Sequence, residues 1–314
     1  MKILVTGGAG FIASQIVDAY LEQGHEVTVI DDLSSGHKKN VSPKATLVTM
    51  DIRDPNLSSL FEKSRFEIVN HHAAQIDVRR SVQDPFLDAS INVLGTLRLL
   101  DCCRTYGARK FIFASSGGAI YGECATPAEE ATSPLRPESP YGYTKASAEY
   151  YIRFFNTFYH LPYTILRYGN IYGPRQDSHG EAGVISIFIG KMLANETVTI
   201  YGTGRQERDY VYVGDVVAAS VAALTRGENG TYNIGTQTPT SVNTLYEKLT
   251  KIHPASKPVY APARAGELER SVLNNAQAQA HLGWRPTRTL DQGLAETFRY
   301  FQNEHLPPAA AKRV

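Results

Sequence analysis

Lys2-Ile3-Leu4-Val5-Thr6-Gly7-Gly8-Ala9-Gly10-Phe11-Ile12-Ala13 joins a short apolar run to a glycine turn and then to a helical pattern. The run is too short for a helix and reads as a buried strand. Ile12, Ile16, Val17, Ala19, Tyr20 and Leu21 recur at helical spacing from Phe11 to Gln23, and Gly24 stops them. Val27-Thr28-Val29-Ile30 is a second strand, closed by Asp31. Glycines in such a turn let backbone N–H groups approach a pyrophosphate, and the helix N-terminus adds partial positive charge. An acid about 20 residues further on, at the end of the second strand, suits the ribose hydroxyls of a dinucleotide. Asp31 also repels a 2′-phosphate, and no Arg follows it immediately, so the pattern favours NAD over NADP.

Outward from this unit the alternation continues. Thr46–Met50, Ile68–Asn70 and Lys110–Ala114 read as strands, and a long helical stretch spans Pro85–Tyr106. Strands alternating with helices predict an α/β fold, a parallel sheet covered on both faces. Tyr163–Arg167 gives one more strand. After Asn170 the pattern loosens, with loops marked by Gly173-Pro174, Gly180, Gly183, Gly202 and Gly204. Helical stretches follow at Val184–Asn195 and Val213–Thr225. We expect residues 1–170 to form the nucleotide-binding domain and 171–314 a smaller lobe, with some later segments returning to the sheet. Leu306–Val314 reads as a loose tail.

The chain has 314 residues, 42% of them hydrophobic, enough for one large domain or two unequal ones. Its 32 basic and 31 acidic residues leave a net charge of +1, which argues against a nucleic-acid partner. No apolar run reaches the ~18 residues of a membrane span, and the N-terminal run is too short for a secretory signal. Cys102, Cys103 and Cys124 cannot all pair, so reduced thiols in the cytoplasm are expected. No metal site is expected: Cys-x-x-Cys is absent, and His71-His72 has the wrong spacing for a helical ligand face.

Tyr141 and Lys145 stand four residues apart, on one face of a predicted helix. A phenol of pKa ~10 is a poor base at neutral pH. A nearby ammonium and a positive nicotinamide ring would favour the phenolate. A drop of ~3 units needs about 4 kcal/mol of differential stabilisation. Alone, such a pair often arises by chance among 18 tyrosines. Tyr143 is a rival phenol without a matching Lys, because residue 147 is Ser. Ser115 and Ser116 follow the strand ending at Ala114, where ligands meet the carboxyl ends of parallel strands. The ordinary alternative for either is a helix or turn cap.

Taken in order, these motifs resemble the extended short-chain dehydrogenase/reductase family over nearly the whole chain. Within it, the likeness is to the NAD-dependent nucleoside-diphosphate-sugar 4-epimerases of the UDP-glucose/UDP-galactose kind. It is carried by the glycine turn, Asp51-Ile52, His72-Ala73-Ala74, Asn92-Val93 with Gly95-Thr96, and Ser115-Ser116 with Tyr121-Gly122. Tyr141/Lys145, Arg167-Tyr168-Gly169-Asn170 and Arg208-Asp209-Tyr210 complete the set. The resemblance implies a Rossmann-type doubly wound sheet with a smaller α+β substrate lobe. It implies that Gly7, Gly10, Phe11, Ile12 and Asp31 hold NAD, with Asp51 and Ile52 bracketing adenine and Ala73, Ala74 and Asn92 lining the groove. Tyr141, Lys145 and Ser116 would be catalytic, Ser116 being preferred to Ser115. Asn170, Arg208 and Arg264 would hold the diphosphate of a UDP-sugar, with Glu267 on the uridine ribose and Tyr201 near the base. Ser271 would lie beside the sugar 2-substituent, where a small side chain leaves room for an N-acetyl group. Ala13 departs from the usual third glycine.

The implied reaction is oxidation of the sugar at C4, rotation of the 4-keto sugar, and reduction on its other face. A 4,6-dehydratase shares the first step but commonly needs an acid pair where Gly117-Gly118 stand. A uronate epimerase or decarboxylase would need a cation aimed at C6. A non-catalytic NAD-sensing regulator would be expected to lack the Tyr/Lys pair. Pro85–Tyr106 and Tyr141–Tyr159 are unusually apolar for exposed helices, and family members pair these helices into a homodimer.

Overall fold

The structure is a computed structural model and describes residues 1–177, 183–264 and 266–305. The expected tail from Leu306 and the loop mark at Gly180 lie outside the described residues. In chain order the strands are β1 (Lys2–Thr6), β2 (Glu26–Asp31), β3 (Thr46–Thr49), β4 (Ile68–His71), β5 (Lys110–Ser116), β6 (Tyr163–Tyr168) and β7 (Asn170–Tyr172). Then come β8 (Thr199–Tyr201), β9 (Glu207–Tyr212), β10 (Gly230–Ile234), β11 (Pro239–Ser241), β12 (Val259–Ala261) and β13 (Arg270–Ser271). The helices are α1 (Phe11–Glu22), α2 (Leu57–Ser64), α3 (Val78–Gln83), α4 (Pro85–Ala89), α5 (Thr96–Tyr106) and α6 (Gly117–Ile120). They continue with α7 (Pro140–Tyr159), α8 (Val184–Leu193), α9 (Val213–Ala223), α10 (Val242–Ile252) and α11 (Leu290–His305).

A seven-stranded sheet runs in the order β3-β2-β1-β4-β5-β6-β10, every neighbour parallel. The period of two along β1 assigns its side chains to opposite faces. Ile3 and Val5 join Ile16, Val17 and Tyr20 of α1 and Val216 and Ala219 of α9 in one core. Leu4 and Ile30 join Leu99 and Leu100 of α5 and Ile152 and Phe155 of α7 in the other. Each such side chain contributes roughly 1.5–3 kcal/mol on burial, which is why the strands read as continuous apolar runs. The strand order reverses between β1 and β4, which opens a crevice at the carboxyl ends of the strands.

Two elements differ from the expectation in ways that matter. β5 extends to Ser116, so both serines belong to the strand and face opposite ways. The stretch from Pro85 to Tyr106 is α4 and α5 joined by a π-helical segment at Ser90–Gly95, centred on Asn92. Such a bulge turns side chains out of the ordinary helical register, and it recurs at functional sites.

Beyond β6 the chain passes into β7, which pairs with β9 in a second sheet with β11 and β13. A third core, including Tyr172, Phe188, Ile189, Leu245, Leu294 and Phe298, supports it. α9 packs on α1, and β10 lies beside β6.

Candidate active site

The turn after β1 is shaped to receive a phosphate. Gly7 has φ +70°, and a Cβ there would stand 2.7 Å from the Ala73 backbone nitrogen. Only glycine lets the turn press against the end of β4. Gly10 precedes α1, so the first N–H groups of Phe11 and Ile12 have no side-chain cap, and no acid lies in the first turn. That leaves an anion-binding helix end. The Asp31 carboxylate is fixed by the N–H groups of Ala9 (2.9 Å) and Leu33 (2.8 Å). Its remaining lone pairs suit vicinal ribose hydroxyls. These residues fit a dinucleotide. Ala13 is buried in the first core, and α1 passes through it uninterrupted.

Asp51 is gripped by Arg53, whose Nη2 donates at 2.6 Å and whose backbone N–H donates at 2.7 Å. The Arg53 hydrogen bonds hold its carboxyl below the usual carboxylate range against the opposing effect of burial. Arg53 also donates to Ser90 at 3.1 Å and was not foreseen. Ile52 is buried in the second core. The Asn92 carboxamide is already committed. It accepts from the Gln75 N–H (2.9 Å) and donates to the Gln75 carbonyl (3.0 Å). It therefore pins the loop after β4 that carries Ala73 and Ala74. His71 bridges the hydroxyls of Thr6 (2.7 Å) and Thr96 (2.9 Å) and is a buried framework residue.

Ser139 caps α7 through the Gly142 N–H, and Pro140 presets the first turn. One helical turn then brings Tyr141 and Lys145 to the same face, the ammonium 5.9 Å from the phenol ring centroid. Lys145 Nζ donates to the Ala114 carbonyl at 2.9 Å and lies 4.8 Å from the Phe113 ring centroid. Ser116 lies beside the Tyr141 phenol and favours its ionised form. Ser115 turns the other way and donates to Glu149 at 2.6 Å. Tyr143 is exposed on the opposite face of the helix.

Among the protein's own groups, burial dominates at the phenol; the lowering expected from the sequence also calls on the nicotinamide ring. Burial pushes Tyr141 up to about 12, Ser116 opposing it and the Asp88 charge adding to it. Burial likewise pushes Lys145 down to about 8, against the pull of Asp88 and Glu149. The expected ammonium–phenol proximity is present.

The expected substrate residues gather across the crevice. Arg208 and Ser271 are register partners on β9 and β13. A Cβ built on Gly118 would find Asn170 Oδ1 at 3.6 Å and Ser271 Oγ at 3.9 Å, so these three border one space. Asn170 Oδ1 is buried and has no hydrogen-bond partner among the described residues. Arg208 lies 3.6 Å from Glu267, and the Arg264 guanidinium stacks 3.9 Å above the Tyr201 ring centroid. Gln206, missed in the sequence, ties this group together by donating to the Tyr201 carbonyl (3.0 Å) and to Glu267 (3.5 Å). No group of three or more His, Cys, Asp or Glu among the described residues is placed to hold a metal.

Comparison with known proteins shows the family. The model of the NAD dependent epimerase/dehydratase family matches residues 3–235. A putative UDP-glucose 4-epimerase of Methanocaldococcus jannaschii is 46% identical over 304 residues, 96% of this chain and 99% of its own. The crystal structure of a UDP-glucose 4-epimerase with UDP-glucose from Thermotoga maritima superposes with a TM-score of 0.95 at 47% identity, covering 97% of this chain and 99% of that one. The Thermus thermophilus UDP-glucose 4-epimerase complex with NAD gives 0.91 at 44% identity, covering 96% and 99%.

Proposed function

The chain belongs to the NAD-dependent epimerase/dehydratase family, and on that premise we propose that it is an NAD-dependent UDP-hexose 4-epimerase interconverting UDP-glucose and UDP-galactose. The observation that carries the reading is the meeting of Ser116, Tyr141 and Lys145 at the carboxyl end of β5. The glycine turn and Asp31 lie at the carboxyl ends of neighbouring strands in the same sheet.

The turn at Gly7–Ile12 and Asp31 would hold NAD, which would supply reversible two-electron oxidation at C4 and a positive ring favouring the phenolate. Tyr141 takes the proton of the sugar 4-hydroxyl, directly or through Ser116, and returns it to the same oxygen when the keto carbon is reduced on its other face. Lys145 supplies a fixed positive charge beneath the phenol. Arg208, Arg264 and Asn170 grip the diphosphate while the 4-keto sugar turns about it. With few anchors on the hexose itself, rotation is not opposed.

The dehydratase alternative is disfavoured by packing. A Cβ at Gly117 would fall 2.6 Å from Leu273 Cδ1, so an acidic side chain there needs Leu273 to move. Ser271 and Gly118 border a space that suits an N-acetyl substituent, so the N-acetylated UDP-hexoses are included in the reading. The exposed aromatic face of α7 and the exposed Phe86 of α4 support a homodimer. Three free thiols support a reducing cytoplasmic setting, and no helix among the described residues is long and apolar enough to cross a membrane.

The test is incubation of the purified protein with UDP-galactose and no added cofactor, followed by product analysis. UDP-glucose should appear, and Tyr141→Phe should abolish its formation while retaining NAD. Turnover of a UDP-uronate with none of UDP-galactose would move the reading to the uronate enzymes.

A further inference from the structure

Asp88 is fully buried at the end of α4, just before the π-helical segment. Its Oδ1 accepts from Gln75 Nε2 at 2.8 Å and from Asn92 Nδ2 at 3.1 Å, and its Oδ2 accepts from Thr144 Oγ1 at 2.6 Å. The donors come from three separate parts of the chain: the loop after β4, the π-helical segment and α7. All three are neutral. Burying a carboxylate among neutral donors is costly unless its hydrogen bonds are good, and these are short. Thr144 sits between Tyr141 and Lys145 on α7, and its hydroxyl also lies 3.0 Å from the Tyr141 carbonyl. The carboxylate thus grips the helical turn that carries both proton-handling groups.

We propose that Asp88 is a positioning residue for the Tyr141–Lys145 pair: its carboxylate fixes Thr144 and with it the turn of α7 that carries both groups, and its negative charge acts on both. The proposal rests on the reading of Tyr141 and Lys145 as the pair that handles the proton. The groups facing Lys145 are the Ala114 carbonyl of β5, Asp88 from α4, Glu149 on its own helix, and His71 and His72 at the end of β4. Burial and the Lys145 charge keep both histidines neutral, so they do not offset the ammonium. Tyr141 faces Ser116 from β5 and Asp88 from α4. Asp88 therefore maintains the ammonium while opposing the phenolate.

Asn at position 88 separates charge from shape. Its carbonyl oxygen can accept from Gln75 and Asn92, and its amide can donate to Thr144, whose own proton turns to the Tyr141 carbonyl. Loss of one negative charge makes both the phenol and the ammonium easier to deprotonate. Asp88→Asn should therefore move both limbs of the kcat/KM pH profile toward acid by about one unit. A lower plateau with both limbs at their wild-type positions overturns the proposal. The phenol is also titrated directly by nuclear magnetic resonance in the NAD-loaded enzyme carrying carbon-13-labelled tyrosine, its signal assigned with Tyr141→Phe. That signal needs no turnover, so it decides the role of Asp88 whatever sugar the enzyme takes; an unmoved phenol titration in Asp88→Asn overturns the proposal. Asp88→Ser is a second variant that removes the charge. Failure of both variants to fold makes Asp88 a requirement of the fold and equally overturns the proposal.

Discussion

The Ser115 hydroxyl donates to a carboxylate oxygen of Glu149 at 2.6 Å. That bond turns Ser115 into the protein, and the alternation of β5 turns its neighbour Ser116 toward Tyr141. Ser116→Ala should lower kcat by about 10²–10⁴-fold, the usual range for a lost proton-transfer partner, with little change in unfolding midpoint. Ser115→Ala should do the reverse, costing about 1–3 kcal/mol of stability and leaving kcat within a few-fold. Steady-state kinetics beside urea unfolding separates the two. Equal catalytic losses would undo the assignment of Ser116.

Glu149 is buried and binds the Arg167 fork at 2.9 and 2.6 Å, with Arg153 at 3.1 Å. Burial tends to raise its pKa, but the hydrogen bonds and charge of Arg167, with Ser115 and Arg153, outweigh it and hold the carboxyl low. A depressed folded pKa contributes stability above the unfolded value and loses it as pH falls through the folded value. Glu149→Gln leaves Arg167 buried with its partner charge gone, at a cost of about 3–5 kcal/mol at pH 7. The gap between wild type and variant should narrow on acidification below pH 4. A gap that stays constant would mean that shape, not charge, is what Glu149 supplies.

The β1–α1–β2 unit was legible because its signals are local: an apolar run, a glycine turn, a helical stripe and a closing acid. The Tyr141/Lys145 face was legible for the same reason, since helical spacing alone aligns the two. What could not be read depends on contacts between distant segments. The pairing of Asn92 with Gln75 depends on the packing of the π-helical segment on the loop after β4. Asp88 and Thr144 are 56 residues apart and meet only because α4 packs on α7. The burial of Tyr141 was likewise not legible: nearby charge can be inferred from spacing, whereas burial depends on packing.

Lys110 begins β5 inside the protein, where its ammonium donates to the carbonyls of Ala223 (2.6 Å) and Arg226 (2.7 Å) at the end of α9. Burial pushes its pKa from 10.5 down to about 8, with Glu228 pulling weakly the other way. For a base, a depressed folded pKa means that the unfolded chain binds the extra proton between these values. Stability due to Lys110 therefore rises with pH across that window. Lys110→Met removes both hydrogen bonds and this dependence together. Chemical unfolding between pH 7.5 and 10 should show wild type gaining on the variant. A gap that closes toward alkaline pH would contradict the burial argument.

Ser271 is buried on β13 opposite Arg208, and with Asn170 it borders the space above Gly118. A Tyr at that position fills the room assigned to the sugar 2-substituent. Ser271→Tyr should lose activity on N-acetylated UDP-hexoses by about 10-fold or more while keeping that on UDP-galactose within a few-fold, the scale of steric discrimination in a pocket. Competition between the two substrates in one reaction mixture reads the ratio directly. An unchanged ratio removes Ser271 from the sugar site.

Tyr150, Phe154 and Phe158 follow one another at four-residue intervals along α7, and all three are exposed, Phe158 by 65%. The rings of Phe154 and Phe158 lie 4.6 Å apart, and Phe86 on α4 is 87% exposed. A contiguous apolar stripe of this kind on two helices is stabilised when a second apolar surface covers it. The same stripe on a second copy would be self-complementary about a two-fold axis, and the proposed dimer would set two helices of each chain against each other. Phe158→Asp would bury a carboxylate without a partner in that interface and should return the protein to single chains. Sedimentation velocity should find two chains in the wild type and one in the variant. A wild type that sediments as one chain at micromolar concentration would leave the stripe without its partner and end the dimer reading.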